Sequence, residues 1–359
     1  MNIISSTIIL ASCAIFSSEG NCYWIIITIL LYLKTSLKII SIVAKNDKLL
    51  VALGNDALDM QLIDLRNGSS CKIPNFFPEN FEAADAIGFL RKDEKIATIC
   101  PYNFGPVSEK LCWNLDLETM QWSKGPKMLD NANHPSVVAL DNGNFWIGGG
   151  EDMTYFWKDS EEFKASTGEF VPSIQLPSGK SRACAVGLGN GKVFMVGGYP
   201  FSRRAIIVDT KTGEITEQVS YPFFKRVGKI TLAFFQPMAP SMRENPVCGL
   251  SKDLDGNRIL IYAGGDKAFD AEKTMNIYNF KTETWSNGKD MPYPLTGPTN
   301  VPYGDTFLAV GGDLAFDYYC SRILTFDIPS QSMKIVEEVK LSLPSMSPVA
   351  VLVPNHITC

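Results

Sequence analysis

The sequence predicts an all-β protein made of six repeated, four-stranded antiparallel units. Three observations support this prediction: a repeat of about 47 residues, a glycine pair that ends an apolar strand in most repeats, and a polar hairpin turn after a later strand. The chain has 359 residues, including 28 glycines and 21 prolines. That length is large for one compact domain unless the fold is a repeat assembly, so we expect one repeat fold over residues 36–359.

Six apolar strand endings define the repeat. They end at residues 55, 101, 149, 198, 265 and 312, so successive intervals are 46, 48, 49, 67 and 47 residues. The last four endings carry a Gly pair, whereas the first two read Gly54-Asn55 and Cys100-Pro101. We place the excess of the long interval at Phe235–Asp255, as a Pro-rich loop between the first and second strands of the fifth unit.

The second half of each unit has the chemistry of a hairpin. In 276–285 and 205–213 an apolar strand runs into Asp or Asn, then Thr or Gly, and then a short return strand. The period, the Gly pairs and the spacing of Tyr278 and Trp285 resemble the kelch repeat over about residues 36–359. The resemblance implies a kelch-type β-propeller, in which the Gly pairs lie where blades converge and a Cβ would clash.

Ring closure is expected at the C-terminal end of the repeats. Pro348–Pro354 repeats the first strand of a unit, so it would complete the first blade and remove an open sheet edge. Six blades are therefore predicted, and a seven-bladed ring that uses residues 23–44 is the alternative.

The N-terminal residues form two apolar runs, Ile3–Phe16 and Cys22–Leu33. Neither run reaches the ~18–20 residues that a membrane-spanning helix needs. The first run has the length of a signal-peptide core, so residues 1–20 are predicted to be a signal peptide, followed by an apolar segment of uncertain role at 21–35. An uncleaved membrane anchor through residues 3–33 and a wrongly assigned start are the alternatives.

Charge and composition exclude several functions. The formal charge of −5 and the absence of a Lys/Arg cluster argue against nucleic acid as a partner. The chain has two histidines, His134 and His356, too few for a metal-radical or hydrolase site. His134 precedes Pro135 and is expected to be a turn residue. We predict a protein that is not an enzyme, with no catalytic residues, metal or cofactor.

The nine cysteines lack a CxxC spacing, which argues against a zinc site. Removal of a signal peptide containing Cys13 would leave eight, which suits disulfides in an oxidising compartment, and buried free thiols are the alternative. Cys100 and Cys112 flank a short loop in the second unit, so a hairpin would bring them together. For Cys320 the candidate partner is Cys248.

The loops that follow the Gly pairs contain both aromatic and charged side chains. Gly264–Asp270 and Gly311–Asp317 share the pattern Gly-Gly-Asp-x-Ala-Phe-Asp. In a propeller these loops emerge on one face around the channel, where such residues anchor ligands, although both Phe side chains could instead pack between blades. The predicted contact residues are Tyr199, Arg203, Arg204, Asp266, Phe269, Asp313 and Phe316.

The leading functional hypothesis is a secreted or surface-anchored kelch propeller that binds a protein or glycan ligand without catalysis. An intracellular (cytoplasmic) kelch adaptor that recruits substrates is the alternative. A propeller enzyme ranks third, because the sequence offers no acid/base or metal cluster.

Overall fold

In the computed structural model the chain divides into two units, Met1–Lys45 and Asn46–Cys359, and all the described residues belong to the second. They are residues 46–53, 60–73, 86–101, 110–129, 133–151, 155–200, 202–218, 223–227, 230–234, 239–267, 270–314, 318–345 and 347–358. The predictions for residues 1–20 and 21–35 therefore lie outside the described residues. Within the described ranges, no helix is long and apolar enough to cross a membrane.

The described residues form six four-stranded antiparallel sheets, each of which is one blade. Blade one contains β1 (Lys48–Ala52), β2 (Met60–Asp64), β3 (Ser70–Lys72) and the C-terminal strand β28 (Val349–Val353). Blade two contains β4 (Ile87–Leu90), β5 (Ile96–Cys100), β6 (Leu111–Asp116) and β7 (Trp122–Lys127). Blade three contains β8 (Ser136–Ala139), β9 (Phe145–Gly148), β10 (Ser160–Lys164) and β11 (Glu169–Pro172).

The other three blades follow the same order. Blade four contains β12 (Cys184–Gly189), β13 (Lys192–Val196), β14 (Ala205–Asp209) and β15 (Ile215–Gln218). Blade five contains β18 (Val247–Lys252), β19 (Arg258–Ala263), β22 (Met275–Asn279) and β23 (Thr284–Asn287). Blade six contains β24 (Thr299–Tyr303), β25 (Thr306–Val310), β26 (Arg322–Asp327) and β27 (Ser332–Lys340).

The blades form a closed ring. The inner strand β28 contacts the inner strands β4 and β24, β24 contacts β18, and β12 contacts both β18 and β8. Strand β11 of blade three contacts β7 of blade two, which closes the ring. Strand β28 pairs along its whole length with β1, for example Val351 with Leu50, so the C-terminal strand completes the blade that the N-terminal strands begin. The fold is therefore a six-bladed β-propeller closed by its C-terminal strand, which confirms the predicted fold class.

The hydrophobic core lies between the blades. The second strands are almost continuously apolar, as in KVFMV of β13 and RILIYA of β19, and nearly every one of their residues is buried. Both faces of such a strand are covered by neighbouring blades, which explains why these strands do not alternate between apolar and polar residues. Six apolar clusters result, and each joins two adjacent blades.

The Gly pairs form the joints between blades. Gly264 and Gly265 have φ of +56° and +77°, and the N–H group of Gly265 donates to the carbonyl of Leu295, 2.8 Å away, on the segment that leads into blade six. A Cβ atom on Gly264 would collide with the same carbonyl. Equivalent bonds join Gly150 to Lys180, Gly198 to Arg243 and Gly312 to Ser345, at 2.7, 2.9 and 2.9 Å.

The insertion lies between blades four and five, so its predicted place within blade five is wrong. The connection from β15 to β18 contains an extra hairpin of β16 (Phe223–Val227) and β17 (Ile230–Phe234). The first strand of blade five is Val247–Lys252, and it joins β19 through a short turn at 253–257. A second small hairpin, β20 (Asp266–Lys267) with β21 (Asp270–Ala271), lies in the loop after the blade-five Gly pair.

Two disulfides lie in the described residues. Cys100 and Cys112 are bonded within blade two, with 4.0 Å between their Cα atoms, as their loop predicts. The predicted Cys248–Cys320 pair is wrong, because Cys248 is bonded to Cys184 across blades four and five, with a Cα–Cα distance of 5.9 Å. Among the described cysteines, Cys320 is free and buried, and its sulfur lies 3.6 Å from the Tyr293 hydroxyl.

The alternating strand directions give the ring two distinct faces. Connections from second to third strands, and from each blade to the next, emerge on one side, which we call the loop face. The tight hairpins between first and second strands and between third and fourth strands emerge on the other side, which we call the turn face.

Candidate functional site

The inner strands of all six blades surround a central channel with a volume of about 990 Å³. Glycines on these strands let adjacent inner strands approach each other, because a Cβ atom on Gly88 would collide with Val349 and one on Gly249 with Phe307. A channel of this size is large enough to hold a small molecule or a side chain of a protein ligand.

In five of the blades, the residue two positions before the inner strand borders the channel on the loop face, and we call this set the mouth ring. In the described residues it consists of His134, Arg182, Asn245, Gly297 and Ser347, with φ between +41° and +61°. Backbone N–H groups link neighbouring members: Arg182 donates to His134, Asn245 to Arg182, and Gly297 to Asn245, at 2.9–3.0 Å. The repeat therefore places side chains from successive blades next to one another at the channel mouth.

Arg182 is the centre of a charged cluster at this mouth. Its Nε atom donates to Glu151 Oε1 at 2.8 Å, and its Nη1 atom lies 3.6 Å from Glu244 Oε2. Its Nη2 atom donates to His134 Nε2 at 3.1 Å, and that histidine nitrogen is 3.9 Å from Glu151 Oε1. The cluster thus joins side chains from the Gly-pair loop of blade three and from the segments that lead into blades three, four and five.

Burial changes the ionisation of two carboxyl groups beside Arg182. It raises the pKa of Glu244, and the positive charge of Arg182 opposes that rise. Burial also raises the pKa of Asp266, although its Oδ2 atom accepts a hydrogen bond of 2.8 Å from the Thr296 hydroxyl. The two acids are held together by backbone bonds of 2.9 and 3.2 Å between Glu244 and Asp266.

A buried arginine fixes the backbone that carries Glu244. Arg243 is 1% exposed, and its guanidinium donates to the Gly264 carbonyl at 2.6 Å and to the Thr274 hydroxyl at 2.7 Å. Its charge also lies over the ring of Tyr262, 5.5 Å from the centroid. The Cys184–Cys248 disulfide adds a covalent bond between blades four and five, close to the mouth ring. The charged cluster therefore stands on a rigid support.

Two polar atoms next to the mouth ring lack hydrogen-bond partners within the described residues. They are the hydroxyl oxygen of Ser181 and Oδ1 of Asn133, both buried. Each residue directly precedes a member of the mouth ring and occupies the position that Glu244 and Thr296 hold in later blades. Buried polar groups are normally satisfied, so these two atoms are exceptions within the described residues.

Exposed apolar side chains concentrate on the loop face. Six large apolar residues are exposed in the described ranges. Tyr155 and Tyr318, each 71% exposed, lie in the loops after Gly pairs, while Leu129, Met242 and Leu343 lie in segments between blades. Leu254, at 70%, lies on the turn face between β18 and β19. Tyrosines with this exposure are typical anchors of protein contacts.

The predicted contact residues are divided between the mouth and the blade structure. Asp266 and Asp313 meet at Thr296, which bonds to the side chain of Asp266 and forms a backbone bridge with Asp313. Tyr199 packs edge-on against Phe156 at 5.0 Å, and Arg203 donates to the Ala239 carbonyl at 2.7 Å. Arg204 is exposed. Phe269 and Phe316 lie outside the described residues.

Sequence reasoning missed Glu151, Arg182 and Glu244. A signal was present, because a polar residue begins the pair before the inner strand in blades three to six: Asn133-His134, Ser181-Arg182, Glu244-Asn245 and Thr296-Gly297. Three of these pairs are followed by Pro, which marks where each inner strand starts. His134 is a turn residue, as predicted, and in addition contacts Arg182.

The fold and the site define a six-bladed β-propeller with a charged channel mouth on its loop face. The solved structure of YjhT is similar to this chain, with a TM-score of 0.60, 14% sequence identity, and coverage of 81% of this chain and 94% of that chain. At that identity the similarity shows the fold alone. No family model and no curated protein matches the sequence. No group of three or more His, Cys, Asp or Glu side chains in the described ranges is arranged to hold a metal.

Proposed function

We propose that this protein is a secreted, non-catalytic kelch propeller that binds a protein or glycan ligand through its loop face. The channel mouth around Arg182 is the polar centre of the binding surface, and Tyr155 and Tyr318 are its aromatic anchors. The observation that carries the proposal is that the charged cluster and five of the six exposed large apolar residues in the described ranges share one face.

The chemistry of this face suits a polar ligand with some apolar surface. Arg182 offers hydrogen-bond donors, and Glu151 and Glu244 offer acceptors. Aromatic side chains around a polar centre provide contact area at low entropic cost. The predicted location in an oxidising compartment is supported by the two disulfides, since such bonds persist outside the cytosol.

The test uses the secreted protein as a fluorescent tetramer, applied to a printed glycan array and to intact cells. The double variant Tyr155→Ser/Tyr318→Ser is expected to weaken binding about 30-fold, because aromatic anchors contribute roughly 2 kcal/mol or more. The matched control is Leu254→Ser, whose side chain is equally exposed but lies on the turn face. Loss of binding in the Leu254 variant alone would contradict the proposal.

A second function has one observation in its favour. Glu244 and Asp266 have raised pKa values beside a cavity, which is the condition for a carboxyl group that transfers protons. To distinguish binding from catalysis, a glycan that binds the protein is incubated with it, recovered, and examined by mass spectrometry and NMR. A binding scaffold returns the glycan chemically unchanged, whereas conversion of the glycan would favour catalysis.

A further inference from the structure

We propose that Asn67 carries an N-linked glycan. Asn67-Gly68-Ser69 satisfies the Asn-X-Ser acceptor pattern with a residue other than Pro in the middle, and it occurs once in the sequence. The proposal rests on the secretory location in the proposed function, because the transferring enzyme acts in that compartment. The structure adds the geometry that the sequence pattern lacks.

The acceptor lies in the hairpin turn between β2 and β3, and Asn67 and Ser69 are exposed. The turn is closed by backbone bonds from Asp64 to Ser69 at 2.8 Å and from Gly68 to Asp64 at 2.9 Å. The Ser69 N–H group donates to Asn67 Oδ1 at 2.9 Å, which forms an Asx turn. The side chain is thus held at the surface, and a glycan on it requires no change in the blade.

The middle residue of the acceptor faces the protein, while Asn67 faces solvent. Gly68 has φ of +70°, and a Cβ atom there would collide with the Glu338 carbonyl of blade six. Gly68 therefore allows the turn to approach blade six closely. The ion pair between Arg66 and Asp64, at 2.5 Å, further fixes the start of the turn.

The turn lies on the turn face, opposite the proposed binding surface. A glycan at Asn67 would leave Arg182, Tyr155 and Tyr318 accessible. It would also lie next to β3, the outer strand of blade one, whose three residues are all exposed. A bulky polar group beside an exposed edge strand hinders pairing with another chain.

The reaction transfers a preformed oligosaccharide from a lipid diphosphate carrier. The Asn67 amide nitrogen attacks the anomeric carbon of the carrier-bound sugar and forms a C–N bond. The bond between that carbon and the diphosphate oxygen breaks, the lipid diphosphate leaves, and the amide loses one proton to a base of the transferase. The carrier is the only co-reactant, and no oxidation or reduction occurs.

The test is expression of the full chain from Met1 in eukaryotic cells, followed by intact mass and peptide mapping before and after peptide N-glycosidase F. The glycosidase is expected to remove one glycan and convert Asn67 to Asp. Asn67→Gln and Ser69→Ala are expected to lose the glycan, while Ser69→Thr keeps it. The matched control is Asn142→Gln, because Asn142-Gly143-Asn144 forms the same Asx turn, with a 3.0 Å bond, but lacks Ser or Thr.

The two possible failures are distinguishable. Unmodified Asn67 in protein from the medium with a Cys184–Cys248 bond would overturn the glycan and leave the secretory location standing. Unmodified Asn67 in protein with free thiols in the cytosol would overturn both.

Discussion

The carboxyl group of Glu244 experiences opposing influences from burial and from charge. Burial raises its pKa, Arg182 lowers it, and Asp266 and Glu151 raise it again. A carboxyl group whose folded-state pKa exceeds its ordinary value destabilises the folded state once it is ionised. That cost grows as pH rises from the ordinary value of 4.5 through the raised folded-state value, and it is fully present above both.

We predict that Glu244→Gln changes the free energy of unfolding in a pH-dependent way. Gln cannot ionise, so the variant escapes the cost that wild type experiences above its folded-state pKa. The free energy of unfolding of the variant, minus the free energy of unfolding of wild type, should therefore be more positive at pH 7 than at pH 4. Urea unfolding of both proteins between pH 4 and pH 7 measures this difference.

Asp253→Asn provides a control of opposite sign. Hydrogen bonds from Asn257 lower the pKa of Asp253, so its ionised form favours the folded state above its ordinary value of 3.8. That variant should lose more stability at pH 7 than at pH 3. A pH dependence of the same sign for both variants would contradict the assignment of a buried acid at position 244.

Individual site residues were only partly predictable from the sequence. Asp266 was predicted because it follows a repeated Gly pair. The contacts of Arg182 with Glu151 and Glu244 were not, because the three residues belong to different blade segments and meet only when the ring forms. The Nε atom of Arg203 donates to the Ala239 carbonyl, a bond that a local pattern does not reveal, and the contact of Arg203 with ligand stays a prediction.

At the scale of elements, the Gly-pair loops determine how adjacent blades meet. Each pair ends a second strand, turns with positive φ, and donates an N–H group to the segment that leads into the next blade. The same turn places the following residue, Glu151 or Asp266, beside the mouth ring. The loops therefore couple blade packing to the geometry of the site.

We predict that Gly265→Ala destabilises the protein more than Gly256→Ala. The two glycines have similar φ, +77° and +80°, so the backbone strain of about 1 kcal/mol is shared. A Cβ atom on Gly265 would lie 2.6 Å from the Glu244 carbonyl, whereas nothing lies within 4 Å of one on Gly256. Thermal unfolding should show a clearly lower Tm for Gly265→Ala. Equal losses would contradict a packing role for the Gly pair.

The strand pattern of the repeats was predictable, but the place of the insertion was not. From the sequence we place the excess residues at Phe235–Asp255, after the apolar run Ile230–Phe234. In the structure it pairs with Phe223–Val227, and Val247–Lys252 is the first strand instead. An apolar run alone does not identify its partner strand, and here two runs competed for one place.

At the scale of the whole molecule, the repeats and the final apolar strand were sufficient to predict a closed six-bladed ring. The Cys184–Cys248 bond was not predictable, because it spans 64 residues and joins the inner strands of two blades. A cross-link over a loop of that length is worth roughly 4 kcal/mol in the chain-entropy model. It closes blades four and five together next to the channel mouth, where it supports both the ring and the proposed binding surface.

The most direct test of an extracellular, disulfide-bonded propeller is a peptide map of unreduced, alkylated protein made from its Met1 start in eukaryotic cells. Protein in the medium is expected, with linked peptides for Cys100–Cys112 and Cys184–Cys248 and with Cys320 alkylated only after denaturation. Cytosolic protein in which Cys184 and Cys248 are both alkylated would contradict the secreted location, and a Cys248–Cys320 link would contradict the arrangement of blades four to six.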